Sequence, residues 1–227
     1  MEKYFDLLLN TPLFDRIDRE ELSSLLGCLQ AKLITAEKGE PLFLEGDAAG
    51  FIGIVLEGAV QIVRDDYYGT RSVLSHAEPG QLYGEAYACS NLETMPVSGY
   101  ALKSCKIMLL SCRKMLTVCS NACRFHNQLV KNLLQVVAVK NVELSQKIQF
   151  MSQKTTREKL LSYLSAQAVR AGAPEFDIPM DRQQLADFLG VERSAMSATL
   201  SRLRDEGVLE FHKSHFRLLR QEEDQEV

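Results

Sequence analysis

The sequence predicts an α+β chain built as an all-β block, one long helix, and a helical block that ends in two short strands. Three observations predict it. Glycines at 39, 46, 58, 69 and 80 punctuate short apolar runs at a spacing of about ten, the interval of strands in a small sandwich or barrel. The stretch from Met115 to Met151 contains neither Gly nor Pro. Beyond it, apolar residues fall at helical spacing and break once, at Gly190.

Taken in order, a helical lead-in, "PLFDRIDREELSSLLGCL", opens the chain, with Asp18 as N-cap and Glu21 three residues on. The β block follows from about Leu33 to Leu110 as "GEPLFLEGD", "GFIGIVLEGAVQIVRDD", "YYGTRSVLSHAEPGQLYGEA" and "GYALKSCKIMLLS". Val60, Ile62 and Arg64 alternate with Ala59, Gln61 and Val63, which is only a partial period-two pattern. In the Gly-free stretch Val130, Val137, Leu144 and Met151 recur at seven. Leu133, Leu134 and Ile148 fill neighbouring faces, and Lys140 and Lys147 interrupt the second seam position. Such a helix either packs on its own β block or pairs with a second copy, and the seven-residue recurrence favours the homodimer. In the third block Thr155 and Glu158 form a capping box, Leu160, Leu161, Leu164 and Ala168 make a buried stripe, and Gly172 and Pro174 end the helix. The expected organisation is 1–113 β domain, 114–151 helix, 152–220 helical block and 221–227 acidic tail.

Composition narrows the function classes. The 227 residues are 46% hydrophobic and 25% charged, as in ordinary globular chains. No apolar run reaches membrane-span length, and "MEKYFDLLLN" carries acidic residues with no cleavage pattern after it, so no signal peptide is expected. Six cysteines without a secretory signal point to the reducing cytoplasm. The formal charge is -4, yet residues 151–220 hold eleven Lys and Arg against nine Asp and Glu, and the tail "QEEDQEV" concentrates four acids.

The break at Gly190 carries the functional reading. Asp181 and Gln184 form a capping box for a short helix whose inner face is Leu185, Ala186 and Leu189. Gly190 supplies the left-handed residue of a tight turn, Val191 plugs it, and Met196, Leu200 and Leu203 form the inner face of a second helix. This is a helix-turn-helix, whose second helix turns Arg193, Ser194, Ser197 and Ser201 outward. An Arg fork matches a guanine edge, Ser serves bases or phosphates, and Ala195 and Ala198 let the helix sit deep in a major groove. Gln183 joins this expected DNA-binding set. "GVLEFHKSHFRLL" reads as a two-strand wing with Lys213 and Ser214 at its tip. A helical hairpin with no nucleic-acid role is the plainer alternative; the caps, turn, wing and local charge favour DNA.

Over almost its full length the sequence resembles the Crp/Fnr family of bacterial transcription regulators. "LFLEGD", "IVLEGAVQIV" and "GQLYGEA" resemble the motifs of its cyclic-nucleotide-binding-like β-roll, and "LADFLGVERSAMSATLSRLRDEGVL" its DNA-reading motif. The resemblance implies a cytoplasmic homodimer on a palindromic DNA operator, with RNA polymerase as a further partner and an effector in the β-roll setting the reading heads. It implies no membrane and no enzyme activity. The family's nucleotide-binding members follow a Gly-Glu pair, here Gly84-Glu85, with an Arg-Ser that holds the phosphate; this chain has Met95 and Pro96 there. A cyclic phosphate would lie unneutralised beside Glu85, so cyclic AMP is disfavoured. The iron–sulfur members' N-terminal cysteines are missing, with only Cys28 in the first fifty residues, and the haem members' Cys and His are absent from "LYGEA". Gly84, Glu85, Met95, Val142 and Glu143 remain as the expected lining of an effector pocket for an unidentified small molecule, the alternative being a filled, ligand-free roll. The reading helix also departs from the family, with Ser194 and Ala195 for Glu-Thr and Ala198 for a base-reading Arg, so an unfamiliar operator is expected.

"SCRKMLTVCSNACRFHNQ" holds Cys112, Cys119, Cys123 and His126. In one continuous helix Cys119, Cys123 and His126 share a face, where they could bind zinc or ligate haem iron with Cys112 as a fourth partner. Packing is favoured over a redox thiol, and both over a metal or haem, because the seam extended backward from Val130 lands on Cys123. The competing classes are a cyclic-nucleotide-binding regulatory module, a metal- or haem-dependent redox sensor through Cys119, Cys123 and His126, and a cupin-type enzyme. The last lacks the His-x-His ligand pattern.

Overall fold

The structure, a computed structural model, describes residues 1–90, 92–117 and 124–219, and contacts divide the chain into two compact units, Met1–Val139 and Lys140–Val227. The first unit opens with α1 (Phe5–Leu9) and α2 (Arg19–Cys28). Asp18 accepts from the Glu21 N–H at 2.8 Å while its own N–H donates to the Glu21 carboxylate at 3.1 Å, the expected capping box. Then come β1 (Lys32–Ala36), β2 (Pro41–Phe43), β3 (Phe51–Glu57), β4 (Val60–Asp65), β5 (Arg71–Ala77), β6 (Leu82–Tyr83), α3 (Glu85–Ala88), β7 (Ser98–Ala101) and β8 (Cys105–Ser111).

These strands form two antiparallel four-stranded sheets, ordered β1-β8-β3-β6 and β2-β7-β4-β5. Between them, Val55, Val60, Ile62, Met95, Val97 and Ile107 share one apolar cluster. β3 is buried on both faces, because Ile52, Ile54 and Leu56 pack on the other side with Leu22, Leu25 and Leu26 of α2. The partial alternation at β4 has a local cause. The register against β5 shifts between Ile62 and Val63, so both side chains are buried.

After β8 the expected continuous helix is interrupted. Helix α4 (Cys112–Leu116), capped by Ser111, ends at Thr117, whose backbone is extended and whose hydroxyl donates to the Arg113 carbonyl. The long helix α5 is Arg124–Met151. Cys112 and His126 therefore sit on different helices, and Cys119 and Cys123 lie outside the described residues. His126 is buried, and its Nε2–H donates to the Met115 carbonyl at 2.9 Å; the acceptor fixes the tautomer.

The first fate foreseen for the long helix, packing on its own β block, is observed on one face, and another face is left exposed. Leu129, Leu133 and Val136 pack into the cluster around α2 and β3, with Val137 partly buried against it. Leu134, Leu144 and Ile148 remain 70%, 57% and 59% exposed. Leu133, of the row that Lys140 and Lys147 interrupt, faces its own domain. The exposed stripe instead pairs the Val130-Val137-Leu144-Met151 row with Leu134 and Ile148, one residue further on. The half-buried Val130 and the exposed Met151 end that row.

The second unit continues with α6 (Thr156–Ala171), β9 (Glu175–Asp177), α7 (Arg182–Leu189), α8 (Arg193–Asp205), β10 (Leu209–His212) and β11 (His215–Leu218), the strands ordered β10-β11-β9. Its core gathers Phe150, Leu160, Leu164, Leu185, Leu189, Met196, Leu200 and Phe216. No helix among the described residues is long and apolar enough to cross a membrane.

One polar contact pins the long helix. The amide of buried Asn132 donates to the carbonyls of Leu13 and Asp15, at 2.9 and 2.8 Å, and accepts from Gln128 at 2.9 Å. Replacing it by Ala leaves two carbonyls without their donor, and unfolding in urea is expected to show a loss of about 1–3 kcal/mol. Asn132→Asp, which sets a carboxylate against both carbonyl oxygens, is expected to cost more at neutral pH. Equal stability of both variants and the wild type would show that the pin contributes nothing.

Candidate nucleic-acid interface and effector pocket

The reading head is assembled by its caps. Asp181 accepts from the Gln184 N–H and the Gln184 side chain from the Asp181 N–H, each at 2.8 Å, starting α7. Gly190 ends it at φ +60, and the Val191 N–H bonds back to the Ala186 carbonyl at 3.0 Å. An L side chain at Gly190 is strained in that conformation, so the turn into α8 depends on the glycine. Met196, Leu200 and Leu203 are fully buried, as expected. The opposite face of α8 presents Arg193, Ser194, Ala195, Ser197 and Ala198 to solvent and half-exposes Ser201. Ser194 donates to the Glu192 carboxylate at 3.0 Å, and Gln183 to Asp187 at 2.9 Å.

β10 and β11 form the wing, with Lys213 at its tip in the left-handed region, φ +52. His215 anchors the wing to β9, its ring nitrogens 3.0 Å from Glu175 and 3.2 Å from Asp177. The Glu175 hydrogen bond, then that to Asp177, raises the His215 pKa above the usual histidine value. A groove of about 810 Å³ is lined by residues 178–184, among them Arg182 and Gln183, together with Arg193, Lys213 and Ser214. It joins Gln183, Arg193 and Lys213 of the expected set; Ser194, Ser197 and Ser201 continue the same helix outside its lining.

Arg182 escaped the sequence reading. Its guanidinium lies 4.9 Å from the ring centres of both Phe211 and Phe216, and burial holds its pKa below the ordinary guanidinium value. Its Nη2 is buried with no partner among the described residues. The signal in the sequence was an Arg at the first helical position beside the Asp181 cap, but the two aromatic faces come from the wing, about thirty residues later.

The β-roll interior is filled by aliphatic side chains together with the ring of Tyr83. The Tyr83 ring stacks on Phe43, centres 5.9 Å apart, in the cluster that holds Met95. Gly53 on β3 makes the room, since a Cβ there would overlap the Tyr83 ring. Met95 is pinned through its backbone, accepting from the Gly46 N–H at 2.9 Å and donating to the Asp47 carbonyl at 2.7 Å. Gly84, at φ +79, opens α3, and Glu85 is buried on it. Of the other residues expected in the pocket, Val142 and Glu143 belong to the second unit. There Val142 is exposed and Glu143 lines a groove with Phe150, Tyr163 and Phe188.

Residues 158–223 match the Crp-like helix-turn-helix domain and residues 33–122 the cyclic nucleotide-binding domain. The chain belongs to the Crp/Fnr family of transcription regulators. It is 26% identical to the cyclic AMP receptor protein of Thermus thermophilus, over 88% of both chains. To the transcriptional activator protein FnrA of Stutzerimonas stutzeri it is 23% identical, over 81% of this chain and 75% of that one. In fold it is similar to the global regulator CLP of Xanthomonas campestris, with a TM-score of 0.58 at 16% identity, covering 90% of this chain and 100% of that one.

Within this Crp/Fnr regulator, Met95 sits in the β-roll core and Tyr83 occupies the space between the sheets. The Tyr83 hydroxyl is buried with no hydrogen-bond partner among the described residues, and burial raises its pKa. Tyr83→Phe removes that unsatisfied group without changing the ring. It is expected to raise the unfolding free energy by about 1 kcal/mol. A destabilisation of that size instead, in the same urea titration, would mean that the hydroxyl has a partner.

Proposed function

We propose that this Crp/Fnr regulator works as a homodimer that reads a two-fold symmetric DNA operator with α8. The observation that carries the reading is the groove in which Arg182, Gln183, Arg193 and Lys213 meet. Arg193 stands at the start of α8 with small residues behind it, where a helix lying in a major groove meets base edges. Lys213, at the wing tip, is placed for a phosphate. Arg182, held on two aromatic rings, lines the same groove.

The partner in the dimer is a second copy through the exposed stripe of α5, where Leu144 and Met151 continue the row of Val130 and Val137. The effector is a small molecule other than cyclic AMP. The Thermus relative is named for cyclic AMP, yet Met95 and Pro96 replace the Arg-Ser that would neutralise a phosphate, and Tyr83 and Phe43 take up interior space. RNA polymerase is the expected downstream partner.

Selection of binding sites from random duplexes supplies the operator on which the reading head is tested. Arg193→Ala is expected to lose about 1–3 kcal/mol of discrimination between that operator and a scrambled site. Lys213→Ala should weaken both alike and flatten the salt dependence. A specificity ratio unchanged by Arg193→Ala at fixed salt would remove α8 from the groove.

The dimer is tested where the side chains are exposed, so that the fold is spared. Leu144→Glu with Ile148→Glu sets like charges across the two-fold axis and is expected to give monomer in analytical ultracentrifugation. A dimer that survives the double substitution would mean the copies join elsewhere.

A further inference from the structure

A second cysteine grouping, absent from the sequence reading, appears in the first unit. Cys112 Sγ lies 3.5 Å from Cys89 Sγ, and both thiols are free. Cys112 is the first residue of α4, buried at the end of β8, with its N–H bonded to the Gly50 carbonyl at 3.0 Å. Cys89 follows α3, half-buried, and packs against the same apolar cluster. The two come from segments 23 residues apart in the chain.

We propose that Cys89 and Cys112 are a dithiol site that a hydroperoxide oxidises to an intramolecular disulfide. The sulfur atoms are already in contact, and closing from 3.5 Å to the bonded distance of about 2.05 Å is a small motion. The order of events follows from exposure. Cys89 is the sulfur a peroxide can reach, while burial, then the hydrogen bond to Cys89, pushes the Cys112 thiol up to about 12 and keeps it protonated. The Cys89 thiolate attacks the outer peroxide oxygen, the O–O bond breaks, and the departing alkoxide takes a proton and leaves as alcohol. Cys89 is then a sulfenic acid. Cys112 sulfur attacks it, the S–O bond breaks, and the hydroxide leaves as water with the Cys112 proton. Two thiols lose two electrons and the peroxide gains them; one alcohol and one water are the products.

The bond would tie α3, which carries the buried Glu85, to the first turn of α4. A redox state would thereby be written on the segment that leads to the long helix. The site stands apart from the DNA reading, and its test needs no DNA.

The full-length protein is titrated with hydrogen peroxide, alkylated, and digested for peptide mapping by mass spectrometry. The expected product has lost two hydrogens, links the Cys89 and Cys112 peptides, and reverts with dithiothreitol. Cys119→Ser with Cys123→Ser should leave that link in place. Cys112→Ala should convert the product to a Cys89 that has gained one or more oxygens, and Cys89→Ser, the half-buried position, should abolish the link in a chain that still folds. A wild-type protein whose disulfide joins other cysteines would overturn the proposal. So would one in which Cys89 and Cys112 both stay alkylatable while peroxide is consumed.

Discussion

The burial of one face of α5 is the contact on which the rest of the arrangement depends. Leu129, Leu133 and Val136 enter the apolar cluster of the first unit, and Asn132 on the same side holds two carbonyls of the N-terminal lead-in. With that face committed, the helix cannot rotate. Which residues of the helix stay exposed beside that face is therefore decided by what the first unit takes, not by the helix's own periodicity. A helix of 28 residues with one face buried keeps its shape without a partner, because packing, more than intrinsic propensity, stabilises helices in proteins.

The β-roll poses a different problem. Its two sheets enclose a space that the family name associates with a nucleotide, and here that space holds Tyr83 stacked on Phe43, admitted by the missing side chain of Gly53. Large aromatic rings bury much area, and their contribution outweighs one hydroxyl left without a partner. Met95 packs in the same cluster as the Tyr83 ring.

In the reading head, charge and packing act together. Arg182 is held by the rings of Phe211 and Phe216, a contact that desolvates it and orients its fork. Arg193 and Lys213, on the same groove, stay exposed. The wing therefore contributes twice, through Lys213 at its tip and through the aromatic faces beneath Arg182.

The sequence by itself determined whatever depends on neighbours three or four residues apart. The capping boxes at Asp18, Thr155 and Asp181, the left-handed Gly190, the turn glycines and the wing tip at Lys213 were all legible, because each is a local backbone requirement met by a local side chain. The order of blocks followed from the same signals. Tertiary structure alone decided the rest. It set Cys112, on α4, beside Cys89, while His126 lies on α5. It left Leu134 and Ile148 exposed beside Leu144 and Met151 on α5, set Tyr83 against Phe43, and brought Arg182 onto the wing. Each of these joins segments far apart in the chain, as Asn132 meets Leu13 across 119 positions, and no local pattern encodes which distant side chain will fill a given space.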